Sequence, residues 1–201
     1  MKAKSIVSSG TKARGLLQGV NLNGRQILSR VELWEVPCHG WIKLNVDGAC
    51  AHNRVATCGG IIRDDTGSLK QGFMFRAEEP ADSLLAELWA VLFGLKMCWD
   101  LGERRVSLES DAEEVVALLT TDSQPSHPDE DVIQEIKGKI GRSWEVQVRW
   151  IPRDANKAAD YVAKQAFDVW PDIHHFHSTF GDLGAILAQD KGNVGLSSGV
   201  G

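Results

Sequence analysis

An α/β fold is what the 201-residue sequence predicts: a five-stranded mixed sheet, its first three strands antiparallel, flanked by helices on both faces. Three observations carry this expectation. Stretches of alternating apolar and polar residues give way to stretches with leucines three and four apart, the change of period that separates strands from helices. Short turn signals join the first three strands, as antiparallel neighbours allow. Beyond them strands and helices take turns, the pattern of a sheet covered by helices.

Each element follows from its residues. Ile42, Leu44 and Val46 alternate with Lys43, Asn45 and Asp47, as in a half-buried strand. Cys58–Ile62 forms a second strand, and Leu69–Phe75 returns after Arg63-Asp64-Asp65-Thr66-Gly67, with glycine where a turn needs positive φ. A helix runs from Asp82 to about Leu101, its apolar side made by Leu84, Leu85, Leu88, Leu92 and Leu95 and its stop by Gly102. Arg105–Glu109 is a short strand, followed by a helix over Ala112–Leu119 that Ser110 or Asp111 is placed to cap. Past Pro125 and Pro128 come a third helix over Asp131–Ile140, or a decorated crossover in its place, then a fifth strand over Trp144–Trp150 and a last helix from Ala155 to about Val169. Trp89, Trp99, Trp144 and Trp150 fall at helical or strand spacing and read as core or half-core.

These elements fill residues 41–170. Residues 1–40 show no sustained period and carry six basic side chains against two acidic ones, so they read as a weakly structured basic arm, with Trp34 and Trp41 flanking Pro37 where the arm meets the domain. Residues 171–201 drift into Gly, Ser and Asp and read as a disordered tail, and the nearby His174, His175 and His177 as solvated. No stretch approaches the ~18 uncharged apolar residues of a membrane span, because Glu87 and Lys96 interrupt the richest one. Cys38, Cys50, Cys58 and Cys98 contain no CxxC pair, so neither a zinc knuckle nor a disulfide framework is indicated, and reduced thiols suit an intracellular protein of the nucleus or cytoplasm. An organelle stays open, since the arm has no acid before Glu32. Residues 41–170 hold 15 basic and 22 acidic side chains, a balance of −7 that excludes binding of nucleic acid by a broad basic face. Such an acidic domain approaches a phosphate with metal ions between.

Four carboxylates occupy positions that packing does not explain. Asp47 lies mid-strand, Glu87 sits among leucines on the first helix, Asp111 joins a strand to a helix, and Asp160 is flanked by small residues that let its helix approach a neighbour. Each alone has an ordinary reading as a cap or an exposed acid. Together they ask for a cation, because ionised carboxylates are costly in partly apolar surroundings.

The blocks Asn45-Val46-Asp47-Gly48-Ala49-Cys50, Gly59-Gly60-Ile61-Ile62-Arg63-Asp64, Ala86-Glu87-Leu88-Trp89-Ala90, Glu109-Ser110-Asp111 and Ile151-Pro152-Arg153-Asp154-Ala155-Asn156 through Asp160 resemble, in this order, type-1 ribonuclease H. The likeness is nearest to the retroelement-related, reverse transcriptase-like group of plants and covers roughly residues 41–168. It implies that the first, fourth and fifth strands lie side by side and that Asp47, Glu87, Asp111 and Asp160 hold two Mg²⁺ ions, with Mn²⁺ as a substitute. The activity implied is hydrolysis of the RNA strand of an RNA–DNA hybrid by a monomer. Gly48, Cys50 and Asn53 match positions that contact the hybrid, and Ser83 stands where bacterial relatives begin a pair of asparagines. Two departures accompany the likeness: the loop Arg153-Asp154-Ala155-Asn156 lacks the family's mobile histidine, and the basic protrusion is replaced by the acidic Asp129-Glu130-Asp131. A second reading therefore keeps the fold as a nucleic-acid-binding or interaction module without useful turnover, and a third makes it a related metal-dependent exonuclease or transposase.

Overall fold

The computed structural model describes residues 16–22, 25–31, 33–121 and 127–197. Residues 1–15, 23–24, 32, 122–126 (Pro125 among them) and 198–201 lie outside the described residues. β1 (Leu16–Leu22) and β2 (Arg25–Val31) form an antiparallel pair within the segment expected to lack regular structure. The other six strands, β3 (Ile42–Cys50), β4 (Ala56–Arg63), β5 (Leu69–Arg76), β6 (Arg105–Ser110), β7 (Glu145–Trp150) and β8 (Asp172–Phe176), make one sheet in the order β7-β6-β3-β4-β5-β8. Antiparallel pairing joins β3, β4, β5 and β8, whereas β6 and β7 run parallel to β3. The expected five strands and their order are present, with β8 as a sixth.

Helices α1 (Ser83–Asp100), α2 (Glu113–Thr120), α3 (Glu130–Ile140), α4 (Lys157–Gln165) and α5 (Leu183–Ser197) complete the chain. One sheet face carries Ile42, Leu44, Val46, Val106 and Leu108 against Leu88, Leu92 and Leu95 of α1, with Ile133 and Ile136 of α3 in the same core. Asp82 caps α1 by accepting a hydrogen bond from the Leu85 amide at 2.9 Å. On the other face, Ile61 packs with Ala158 and Val162 of α4 and with Leu183 and Leu187 of α5. Gly59 lets α4 come that close, because a Cβ there would stand 2.8 Å from the Ala163 nitrogen.

Where the sequence reads as a disordered tail, the described residues 171–197 carry a strand and a helix. β8 pairs with the outer edge of β5, whose amides would otherwise lack sheet partners, and the Phe176 ring lies over Gly72. Leu183 and Leu187 of α5 are buried against Ile61 and Val162, with Ile186 packed beside them, contacts that no local pattern in the sequence announces. His174 and His175 accordingly sit on a strand. The polar side of β3 is also more enclosed than a half-buried strand: Lys43, Asn45 and Asp47 are all buried. Trp34 is buried as well, fixing the arm to the domain through a hydrogen bond from its ring N–H to Asn45 at 3.0 Å. Trp144 is core, while Trp150 is 48% exposed.

Candidate active site

Four different elements supply the four acids. Asp47 stands near the end of β3, Glu87 in the second turn of α1, Asp111 directly after β6 and Asp160 in the first turn of α4. Asp47, Glu87 and Asp111 each offer a carboxylate oxygen, and these oxygens lie within 4.8 Å of one another. Among the described residues no other set of three acidic, histidine or cysteine side chains converges in this way.

Local sequence explains the convergence. Gly48 has no Cβ, and one would stand 2.7 Å from the Ala86 carbonyl carbon and 2.8 Å from the Glu87 Cα. Its smallness therefore brings α1 against β3 and carries Glu87 to Asp47. The β3–β6 ladder ends at Asn45 opposite Glu109, so the strands part where Asp47 and Asp111 begin. Asn156 bridges that parting: its amide donates to the Val46 carbonyl at 2.9 Å and to the Asp111 carboxylate at 2.7 Å. Asn156 is buried, and its own oxygen finds no hydrogen-bond partner.

The electrostatics are those of crowded acids. Burial, then the charges of Glu87, Asp111 and Asp160, push the Asp47 carboxyl up to about 9. Burial and the charge of Asp111 push Glu87 up to about 8, against the opposing pull of the Gly48 backbone and Arg153. One oxygen of Glu87 is enclosed without a hydrogen-bond partner. Once deprotonated, these hard carboxylate oxygens suit a divalent cation. A cation would also relieve the repulsion that raises both pKa values.

Asp160 stands outside the group of three. Its two oxygens are taken by Arg153 at 3.1 Å and Lys164 at 2.7 Å. Burial works against ionisation there, but those hydrogen bonds hold its carboxyl below the usual carboxylate range. Asp154 instead pairs with Lys157 at 3.3 Å.

The substrate-side residues fall into two groups. Gly48 is packed under α1, so its missing side chain serves the helix. Cys50 is half-buried, its thiol donating to the Ala81 carbonyl at 3.3 Å. Asn53 and Ser83 are exposed, and their segments are tied together by a bond from the Ala81 amide to the Arg54 carbonyl at 3.1 Å. Two neighbours of the acids carry roles that the sequence left unread: Asn156, which resembles an ordinary helix-start residue, and Arg153. Only the fold shows what each touches. A cavity of about 550 Å³ lies beside β7 and the segment 33–38, and none of the four acids lines it. The acids lie outside that cavity, where the interior strands β3 and β6 part.

A sheet in this order, with its carboxylates at the ends of neighbouring parallel strands, defines a ribonuclease H-like fold. The N-terminal ribonuclease H domain of a Mycobacterium tuberculosis protein, solved as a fusion with maltose binding protein, superposes with a TM-score of 0.59 at 21% identity, over 64% of this chain and 94% of that one. Ribonuclease H1 of Halobacterium salinarum superposes at 0.56 with 22% identity, over 64% and 98%. A ribonuclease H1 isolated from compost, solved with an RNA/DNA hybrid, gives 0.57 at 20% identity, over 63% and 96%. The chain belongs to the reverse transcriptase-like family, whose model matches residues 45–166. A protein of Arabidopsis thaliana provisionally named a ribonuclease H protein is 35% identical over 161 residues, which is 78% of this chain and 25% of that protein. The chain thus spans about a quarter of the length of this curated relative.

Proposed function

We propose that the protein is a divalent-metal-dependent endonuclease that hydrolyses the RNA strand of RNA–DNA hybrids. The observation that carries this reading is the gathering of the Asp47, Glu87 and Asp111 oxygens within 4.8 Å. Asp47, Glu87 and Asp111 would hold a Mg²⁺ ion, and Asp160 would join them for a second ion on leaving Arg153 and Lys164. Bound Mg²⁺, or Mn²⁺ in its place, would supply Lewis acidity toward the phosphate and a more acidic attacking water. Asn156 keeps the Asp111 carboxylate turned toward the gap between β3 and β6. Gly48 keeps Glu87 against Asp47. Asn53 and Ser83, exposed on adjoining segments, are placed to meet the hybrid, where the 2′-hydroxyl distinguishes RNA from DNA.

The reading predicts cleavage of a labelled RNA–DNA hybrid by the full chain in Mg²⁺ or Mn²⁺, no cleavage of duplex DNA, and loss of activity in Asp47→Asn. A hybrid left intact in both metals sinks it. The module without turnover is favoured by a separate observation, the occupation of both Asp160 oxygens by cations of the chain itself. Binding of the hybrid without cleavage would select that alternative.

A further inference from the structure

We infer that Trp34 and Asp190 are positioning residues for the acidic cluster, acting through a buried polar layer beneath Asp47 and Asp111. The inference rests on the functional reading above. Both residues lie outside the 45–166 span that the family model matches.

Alternate positions on a strand share a face. Lys43, Asn45 and Asp47 therefore form one row along β3, and Ser107, Glu109 and Asp111 form the next row along β6 and just beyond it. Between the rows, the Asn45 amide donates to Glu109 at 3.0 Å, and the other Glu109 oxygen pairs with Lys43 at 2.7 Å. The ladder between the two strands stops at this pair. The Asn45–Glu109 bond is thus the last tie across the strands on this face before the acids begin.

An amide can be turned end for end, and only its partners decide which end faces Glu109. Here two donors fix it. The Asn45 oxygen accepts from the Trp34 ring N–H at 3.0 Å and from Arg63 at 2.8 Å, which leaves the NH₂ group for Glu109. Arg63, only 1% exposed, is held by Asp190 of α5 at 2.6 Å and stacks 3.5 Å from the centre of the Trp34 ring. The arm and the last helix therefore close the layer from opposite ends of the chain. Two buried cations, Lys43 and Arg63, are balanced by two buried carboxylates, Glu109 and Asp190. An apolar layer would serve stability at least as well as these ion pairs. What the polar one adds is a fixed orientation two residues from each acid.

The test is Mn²⁺ affinity, measured by calorimetry on the full chain at a temperature where circular dichroism shows every protein folded. Trp34→Phe keeps the ring and deletes the N–H; Asp190→Asn keeps the shape and deletes the charge. Leu187→Ala, on the same helix as Asp190 but in the apolar contact, is the control for lost stability alone. Each of the first two variants is expected to weaken Mn²⁺ binding by about tenfold, as for other groups that orient metal ligands, while Leu187→Ala lowers the Tm and leaves the affinity unchanged. Affinity within twofold of wild type in a folded Trp34→Phe or Asp190→Asn protein overturns the inference alone. So does equal weakening in Leu187→Ala, and so does failure of both layer variants to fold, which makes the layer a folding determinant only. Wild-type protein that binds no Mn²⁺ overturns the functional reading and the inference together.

Discussion

Replacing the titratable carboxyl of Asp47 by an amide should make the metal-free protein more stable at pH 7 while abolishing cleavage. In the fold its carboxyl is pushed up to about 9, from an ordinary value of 3.8. At pH 7 the folded state therefore keeps a proton that the unfolded chain has released. A group raised on folding contributes fully below its unfolded pKa and loses that contribution as pH rises toward the folded one. Each retained proton costs about 1.4 kcal/mol of stability per pH unit across this window. Glu87, raised from 4.5 to about 8, acts in the same direction, and the two acids share their repulsion. The net gain expected for Asp47→Asn at pH 7 is about 2–4 kcal/mol, shrinking to near zero at pH 4. Urea unfolding in EDTA at pH 4, 5, 6, 7 and 8 measures it, and the difference between variant and wild type removes groups common to both. Excess Mg²⁺ should close the gap by stabilising only the wild type. A difference that is flat with pH, or a variant less stable than wild type at pH 7, would refute the claim that these acids are crowded and enclosed.

Three further outcomes follow from the same geometry. Gly48→Ala places a methyl against the backbone of Ala86 and Glu87; a loss of about 2–3 kcal/mol is expected in thermal unfolding, together with loss of Mn²⁺ binding as α1 lifts Glu87 away. Asn156→Ala removes the donor shared by Val46 and Asp111; stability should fall by about 1–3 kcal/mol, with a larger fractional drop in kcat than rise in KM for the hybrid. Lys164→Met frees one oxygen of Asp160; Mn²⁺ binding should tighten several-fold in calorimetry, whereas an unchanged affinity would mean that Asp160 takes no part in holding metal.

How far the site could be read in advance depended on the kind of signal each residue carries. Glu87 stood out because an acid among Leu84, Leu85 and Leu88 interrupts an apolar pattern, and Asp47 because it lies mid-strand; both signals are local. Asn156 carried no such mark: before a helix an asparagine is commonplace, and its value comes from Val46 and Asp111, more than forty positions away. Asp160 was selected with the others by the motif order, yet the fold pairs it with Arg153 and Lys164. Gly48 was noticed for an approach to the hybrid, and the fold adds a second reason for a glycine there, the close packing of α1. The final strand and helix escaped notice because β8 is five residues long and α5 carries three glycines, Gly184, Gly192 and Gly195, in a segment that reads as loop.

By itself the sequence determined the succession of strands and helices between residues 41 and 168, because period, turn residues and stops act between neighbours in the chain; it did not announce β1, β2, β8 or α5. It also determined which acids were out of place. Only the tertiary structure decided that three of those acids share one small volume, that the fourth is held by cations, and that the arm and the last helix close a polar layer under the sheet. Those outcomes depend on distances between residues far apart in sequence, which packing sets and local pattern does not encode.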